Sequence, residues 1–326
     1  MKLIIQIPSY NEEKSLPQVV RELPRKIPGI DTIEYLVIDD GSTDGTVEVA
    51  EQEGVHHAVN LISNQGCGTA FQIGIGKCIE LGADIIVNTD GDNQYPGVCI
   101  QDLVMPIIEE KADIVVGTRP IERIDDFSWV KKKLQRLGSY VARQFSGTTI
   151  PDVTSGFRAF SADAAKRLNI LSAYSHTLET IIQAGHMNMK ITHVPVEVNP
   201  STRKSRLMSS LYQYIGHSTF IILRSYIRYK PLRTFIYLSL IPGTAGLAIC
   251  FRFLYYSLVK QHSGHIQSLI LAAILLLIAF HLITLGIIGD LIGTNRSLIQ
   301  ENMYLMKDRI QKQEQEKRQN KSKTKK

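Results

Sequence analysis

Two long apolar runs, Thr234–Leu258 and Ser268–Leu291, limit the possible folds of this chain more than any other feature. The first is broken only by Pro242-Gly243 and Arg252, and the second holds His281 and Asp290. Each exceeds the roughly 20 apolar residues that carry a helix across about 30 Å of hydrocarbon. Neither stands at the N-terminus, where a signal peptide would. The runs therefore predict two transmembrane helices, with Arg252 near one end, where it can snorkel. A pair of buried helices in a soluble protein is the alternative. The link between them, Val259–Gln267, holds one Lys. Arg224, Arg228, Lys230 and Arg233 precede the first run, and Arg296 and a basic tail follow the second. Because positive residues stay on the cytoplasmic side, the expectation is a hairpin in the cell membrane with both termini cytoplasmic.

The formal net charge of +6 is localised. From Lys307 to Lys326 there are nine Lys/Arg and three Asp/Glu, so the tail alone accounts for it and the rest balances. A nucleic-acid-binding domain carries its excess charge on a folded face, and this distribution speaks against one. It predicts instead a solvated, partly disordered tail near an anionic membrane surface. Cys67, Cys78, Cys99 and Cys250 show no C-x-x-C spacing, as expected of free thiols in a reducing compartment rather than disulfides or zinc ligands.

Upstream of the apolar runs, strand and helix patterns alternate. Strands are expected at Lys2–Ile7, Tyr35–Ile38, from Ile85, at Asp113–Val116 and at Lys190–Val198. Helices are expected from Ser9-Tyr10-Asn11-Glu12-Glu13 to about Leu23, from Thr46 to Gln52, up to Leu81, over Val98–Lys111, up to Leu168 and over Thr177–Gly185. This alternation predicts a doubly wound α/β domain built on a parallel sheet. Further helices are read at Asp125–Gly147, basic at Lys131, Lys132, Lys133 and Arg136, and at Leu207–Tyr229, amphipathic enough to lie along a membrane.

Chemistry concentrates where strands end. Ile85-Ile86-Val87-Asn88 leads into Thr89-Asp90-Gly91-Asp92-Asn93-Gln94. If the extended backbone continues, Asp90, Asp92 and Gln94 point the same way, and hard oxygen ligands so placed suit Mg²⁺ or Mn²⁺ with a substrate diphosphate supplying the rest. A polar turn is the plainer reading. Asp39-Asp40-Gly41-Ser42 ends the second strand, where open α/β sheets bind ligands, although a strand terminus with a helix N-cap is the alternative. Asn64-Gln65-Gly66-Cys67-Gly68 opens a helix, and its glycines would let a phosphate or sugar approach the backbone. The run is not G-x-G-x-x-G, because Phe71 stands at the third glycine, nor a P-loop, so a nicotinamide dehydrogenase is not indicated. Pro151-Asp152-Val153-Thr154-Ser155-Gly156-Phe157-Arg158 combines a carboxylate, hydroxyls and a guanidinium suited to an acceptor phosphate. Arg203, Lys204 and Arg206 suit a clamp on a diphosphate or lipid phosphate, or simply a basic juxtamembrane loop. His176, His186 and His193 are not at metal-ligand spacing.

Pro8-Ser9-Tyr10-Asn11-Glu12, Asp39-Asp40-Gly41-Ser42, Asn64 with Gly66 and Gly68, Asp90-x-Asp92-x-Gln94, Gly117-Thr118-Arg119 and Ser155-Gly156-Phe157-Arg158 occur in the order and spacing of family-2 glycosyltransferases. The chain most resembles the branch containing dolichol-phosphate mannose synthase and bacterial polyprenyl-phosphate glycosyltransferases, over about residues 1–230. The resemblance implies a glycosyltransferase A-type, Rossmann-like fold, a nucleotide-sugar donor and a divalent metal, Mg²⁺ or Mn²⁺. It implies donor contacts at Pro8, Tyr10, Glu12, Asp39, Asp40, Asn64, Gly68, Asp90 and Gly91, and metal ligands at Asp90, Asp92 and Gln94. Arg119, Ser155, Arg158, Arg203 and Lys204 would face phosphates, with Asp92, Asp152, Arg119 and Arg158 as catalytic residues and Asp152 cast as a base. The acceptor implied is a polyprenyl phosphate in the membrane, and relatives suggest a homo-oligomer.

The expected organisation is a cytoplasmic glycosyltransferase domain over 1–206, interfacial helices over 207–233, two membrane helices within 234–293 and a basic tail over 294–326. A processive polysaccharide synthase would have more membrane helices and a Q-x-x-R-W motif, which this chain lacks. A catalytically dead scaffold would have lost Asp90, Asp92 or Gln94.

Overall fold

A computed structural model describes residues 1–120, 150–200, 224, 227–259 and 266–324. The expected helices at Asp125–Gly147 and Leu207–Tyr229 lie outside these residues, apart from a few at the end of the second. The chain divides into one compact unit of Met1–Ile222 with Gln300–Lys326, and another of Leu223–Ile299.

The first unit is built on a seven-stranded sheet. Its strands are β1 (Lys2–Ser9), β2 (Thr32–Asp39), β3 (His57–Asn60), β4 (Ile85–Asn88), β5 (Ile114–Thr118), β6 (Arg158–Ser161) and β7 (Ile191–Pro195), in spatial order β3-β2-β1-β4-β6-β5-β7. The helices between them are α1 (Leu16–Glu22), α2 (Thr46–Gln52), α3 (Cys67–Glu80), α4 (Cys99–Ile108), α5 (Ala162–Arg167) and α6 (Thr177–His186). Side chains alternate across each strand, so Leu3, Ile5 and Ile7 of β1 join one core with α1 and α4, while Ile4 joins the other with α3, α5 and α6. Both faces are covered, which is why the central strands read as continuous apolar runs.

The sheet is parallel except at one strand. β6 runs antiparallel to both β4 and β5, with Ile85 opposite Ser161 and Asn88 opposite Arg158. Its reversed direction carries the residues before it, 152–157, to the sheet edge where β1, β2 and β4 end. Neither β6 nor β3 was expected. β3 has four residues, half-buried at every second position, and β6 (Arg-Ala-Phe-Ser) has no β-branched residue.

The second unit contains α7 (Pro231–Val259) and the first part of α8 (Ile266–Thr324), each long and apolar enough to cross a membrane. Most of their apolar side chains are exposed, including Ile241, Phe251, Phe280 and Ile288. The two helices meet through small residues: Ala272 and Ala279 are buried, and a Cβ on Gly246 would stand 3.0 Å from Leu276. α8 continues without interruption beyond its apolar stretch. The expected disordered tail is therefore helical to Thr324, and its residues from Gln300 belong to the first unit.

Candidate active site

Three strand ends meet at one edge of the sheet, and short loops lace them together. The expected helix start at Ser9–Glu13 is instead the last residue of β1 followed by a loop: Asn11 is left-handed (φ 54°) and α1 begins at Leu16. The Asn11 amide donates to the Ser42 hydroxyl at 2.8 Å, the Thr43 amide to Asn11 Oδ1 at 2.8 Å, and the Glu12 amide to Thr46 Oγ1 at 2.9 Å. These bonds fix the Pro8–Glu12 segment against the loop after β2. Pro8 and Tyr10 are half-buried there, and Glu12 is buried.

Asp39 and Asp40 are both buried but do different things. Asp39 accepts the Ser42 amide on Oδ2 at 3.0 Å, while Oδ1 is buried without a hydrogen-bond partner among the described residues. A buried carboxylate oxygen left unpaired is costly, so a water, an ion or a ligand atom is needed to satisfy it. Asp40 is consumed internally. Its two oxygens take the amides of Gln65 and Gly66 at 2.7 and 2.9 Å, so it pins the loop expected to hold the donor.

The glycines of that loop are also explained by the chain itself. The Gly68 amide donates to the Ala173 carbonyl at 3.0 Å, and a Cβ on Gly68 would stand 1.9 Å from the Ser172 carbonyl oxygen. A Cβ on Gly66 would stand 2.3 Å from the Ala173 oxygen. The close approach foreseen for a phosphate at Gly68 is made by residues 172–173. Glu179 supports them, its carboxylate accepting the Leu171 and Ser172 amides at 3.0 and 2.9 Å. Asn64 is exposed at the rim.

β4 ends at Asn88, and the extended backbone does not continue. Asn93 is left-handed (φ 58°) and Asp92 Oδ1 accepts the Gln94 amide at 3.2 Å, so the segment turns. The premise that Asp90, Asp92 and Gln94 share a face of extended chain is thereby corrected; a turn brings them to the site instead. Several contacts hold it. Ser15 Oγ lies 2.8 Å from the Gly91 carbonyl and 2.7 Å from Glu12 Oε2, and a Cβ on Gly91 would stand 2.8 Å from Ser9 Oγ. Asn199 donates to the Asn93 and Gln94 carbonyls, each at 2.9 Å. Behind it a buried ladder runs from Gln6 to Asn88 Oδ1 and from Asn88 Nδ2 to the Gly156 carbonyl, both at 2.9 Å. Gly156 thus sits against Asp90, where a Cβ would stand 3.1 Å from Oδ1.

Beside Asp90, Arg119 and Asp152 form a buried bidentate pair, Nε–Oδ2 2.8 Å and Nη2–Oδ1 3.2 Å. Thr154 accepts a further Arg119 bond at 2.9 Å. Burial raises the Asp152 pKa, but the Arg119 charge and hydrogen bonds outweigh it and hold the carboxyl below its usual range. A carboxylate so held is a poor proton acceptor, and its two oxygens hold the Arg119 guanidinium in place. Tyr95, which the sequence reading missed, stacks on Phe157 at 4.8 Å with its hydroxyl 3.4 Å from Ser155 Oγ. Burial pushes its pKa up to about 12, so it remains a phenol.

Arg158 does not face the site. It is fully buried, and Nε, Nη1 and Nη2 donate to the carbonyls of Ser155, Thr177 and Val153 at 2.9, 2.8 and 2.8 Å. Its expected catalytic and phosphate roles are corrected: the guanidinium ties β6 to α6 and to the 153–155 segment. Arg203 and Lys204 lie outside the described residues. Among the described residues no three His, Cys, Asp or Glu side chains gather around a metal position. The oxygens of Asp90, Asp92 and Gln94 remain the hard donors suited to Mg²⁺ or Mn²⁺.

Comparison with known proteins places the chain in a family. The model of glycosyl transferase family 2 matches residues 4–168. A UDP-N-acetylglucosamine–dolichyl-phosphate N-acetylglucosaminyltransferase of Methanococcus voltae is 33% identical over 213 residues, 59% of this chain and 83% of that protein. An undecaprenyl-phosphate mannosyltransferase of Micrococcus luteus is 27% identical over 206 residues, 60% of this chain and 83% of that protein. Among solved structures, glucosyl-3-phosphoglycerate synthase from Mycobacterium tuberculosis in complex with UDP superposes with a TM-score of 0.56 at 20% identity, over 69% of this chain and 79% of that one. That likeness speaks to the fold, the glycosyltransferase A-type mixed sheet. A matching family model, relatives of one kind and a sheet edge carrying the family's motifs in order lead to one assignment: the chain belongs to glycosyl transferase family 2, in its polyprenyl-phosphate branch.

Proposed function

We propose that this glycosyltransferase moves a hexose from a nucleoside diphosphate sugar, a UDP-sugar by preference, to undecaprenyl phosphate at the cytoplasmic face of the cell membrane. The observation that carries the reading is the meeting, at one sheet edge, of the unpaired buried oxygen of Asp39, the Asp90–Gln94 turn and the Arg119–Asp152 pair. The relatives' names supply the substrate class: nucleotide sugar as donor, polyprenyl or dolichyl phosphate as acceptor.

In the reaction an acceptor phosphate oxygen attacks the anomeric carbon from the face opposite the diphosphate. The carbon–oxygen bond to the diphosphate breaks, its electrons leave with the nucleoside diphosphate, and the configuration inverts. Asp39, Pro8 and Tyr10 would bind the nucleoside, and Asp90, Asp92 and Gln94 would hold the metal. A bound Mg²⁺ or Mn²⁺ supplies charge neutralisation on the departing diphosphate. Arg119 supplies a second positive charge, held by Asp152 before the substrate arrives, so little reorganisation is needed as charge develops. An acceptor monoester has a second pKa of about 6 and is largely dianionic near neutrality. No base is therefore required, in keeping with an Asp152 that stays ionised.

The acceptor's tail explains the two apolar helices. Withdrawing it from the bilayer costs roughly 0.8 kcal/mol per CH₂, so the enzyme must work at the headgroup layer. The decisive test uses full-length protein in detergent with undecaprenyl phosphate, Mg²⁺ or Mn²⁺ and a panel of radiolabelled nucleotide sugars. Label should enter the organic phase with one donor, and EDTA or Asp92→Ala should abolish it. Metal-dependent nucleotide binding without transfer from any donor would refute the acceptor.

A further inference from the structure

The end of α8 is built into the catalytic unit. Tyr304 donates to Asp163 Oδ1 at 2.6 Å, and the Arg167 guanidinium lies 4.3 Å from its ring centroid. Lys166, 7% exposed, pairs with Asp308 at 2.6 Å. Lys307 Nζ donates to the carbonyls of Lys166 and Leu168, both at 3.2 Å, satisfying groups that the end of α5 leaves open. Gln311, 4% exposed, donates to the Ala83 carbonyl at 2.6 Å, and Gln315 donates to Asp84 Oδ1 at 3.0 Å. A solvated tail would leave these groups to water. Here Lys166 and Gln311 are buried and Lys307 is half-buried, and each is paired, which marks a specific dock. Burial also lowers the Lys307 pKa.

The docked residues lie on the same helix as the second candidate span. We infer that residues 304–315 are a positioning segment: they give the catalytic unit a second attachment to its membrane helices and so present the active site to an acceptor held in the bilayer. This rests on the polyprenyl-phosphate reading. A domain joined to a membrane by one connection samples many orientations, whereas a second attachment raises the effective concentration of its site at the lipid phosphate. Lys166, Lys307, Asp308 and Gln311 touch no reacting atom in this scheme. The donor half of the site should be indifferent to them.

The test uses full-length protein in lipid vesicles carrying Lys166→Glu, Asp308→Lys, or both. Three quantities are measured: metal-dependent UDP binding, transfer to a short-chain, water-soluble prenyl phosphate, and transfer to undecaprenyl phosphate in the vesicle. Each single variant should lose about tenfold or more in kcat/KM on the vesicle-held acceptor. UDP binding and short-chain transfer should stay near the wild-type values, and the double charge swap should recover most of the loss. Equal losses on both acceptors, or a fall in UDP binding, would mean the dock merely stabilises the fold and would overturn the inference. No loss on either acceptor would overturn it as well. Wild-type protein inactive on both acceptors would instead refute the polyprenyl-phosphate reading, and the positioning role with it.

Discussion

His176 shows how one buried residue can set the acid limit of the enzyme. It stacks face to face on Phe71 at 4.0 Å, with Nδ1 3.9 Å from the Cys67 thiol. Burial, with the nearby Arg158 charge, pushes its pKa down to about 3. The folded value lies below the ordinary 6.5, so the unfolded chain binds the extra proton and stability falls as pH drops from about 6.5 towards 3. At pH 5 the loss should be about 2 kcal/mol relative to pH 7.5, and His176→Gln should remove that part of the slope in urea unfolding across pH. Asp152 adds to the same limit, because a depressed carboxyl pKa gives stability that is lost on acidification. Asp152→Ala leaves the buried Arg119 without its counter-charge and should cost about 3–5 kcal/mol. Asp152→Asn discriminates between roles. If Asp152 orients Arg119 towards the departing diphosphate, kcat should fall with its pH profile unchanged, whereas loss of a general base would cut kcat by about 10²–10⁴ and remove the acidic limb of that profile. These assignments were only partly legible. The sequence marks Asp39, Asp90 and Arg119 as polar residues near strand ends and Asp152 as part of a polar run, but no local pattern tells a guanidinium that meets substrate from one, like Arg158, that meets three carbonyls.

Elements carry a different kind of constraint, seen most clearly along α3. Its first turn is pressed against residues 172–173, while Gly76 on the same helix has nothing within 4 Å of the place a Cβ would occupy. Two Gly→Ala changes in one helix should therefore have opposite signs. Gly68→Ala should destabilise by about 1–3 kcal/mol, because neighbouring backbone must move. Gly76→Ala should stabilise by about 0.5–1 kcal/mol through helix propensity. Thermal melts of the two variants check both. The glycine pattern was visible in the sequence, but its partner was not, because residues 172–173 are remote in the chain. The same remoteness hid β6: its place between β4 and β5 comes from pairing with Ile85–Asn88 and Ile114–Val116, not from its own composition.

At the scale of the whole molecule, the charge distribution makes a topological prediction. A cysteine introduced in the link between the two apolar runs should react with a membrane-impermeant thiol reagent in intact cells, and one placed near either terminus should not. The reverse labelling would invert the proposed orientation. What the sequence determined by itself is what local physics controls. Apolar runs of membrane length predict α7 and the first part of α8, buried strands predict β1, β2, β4 and β5, and acids after those strands mark the edge where the candidate site lies. What only the tertiary structure decided depends on residues far apart in the chain meeting. It set the antiparallel course of β6, the consumption of Asp40 and Arg158 by backbone partners, and the pairing of Asp152 with Arg119. It also turned an apparently solvated basic tail into a docked helix, because Lys307, Asp308 and Gln311 find their partners on α5 and beside β4, more than a hundred residues earlier.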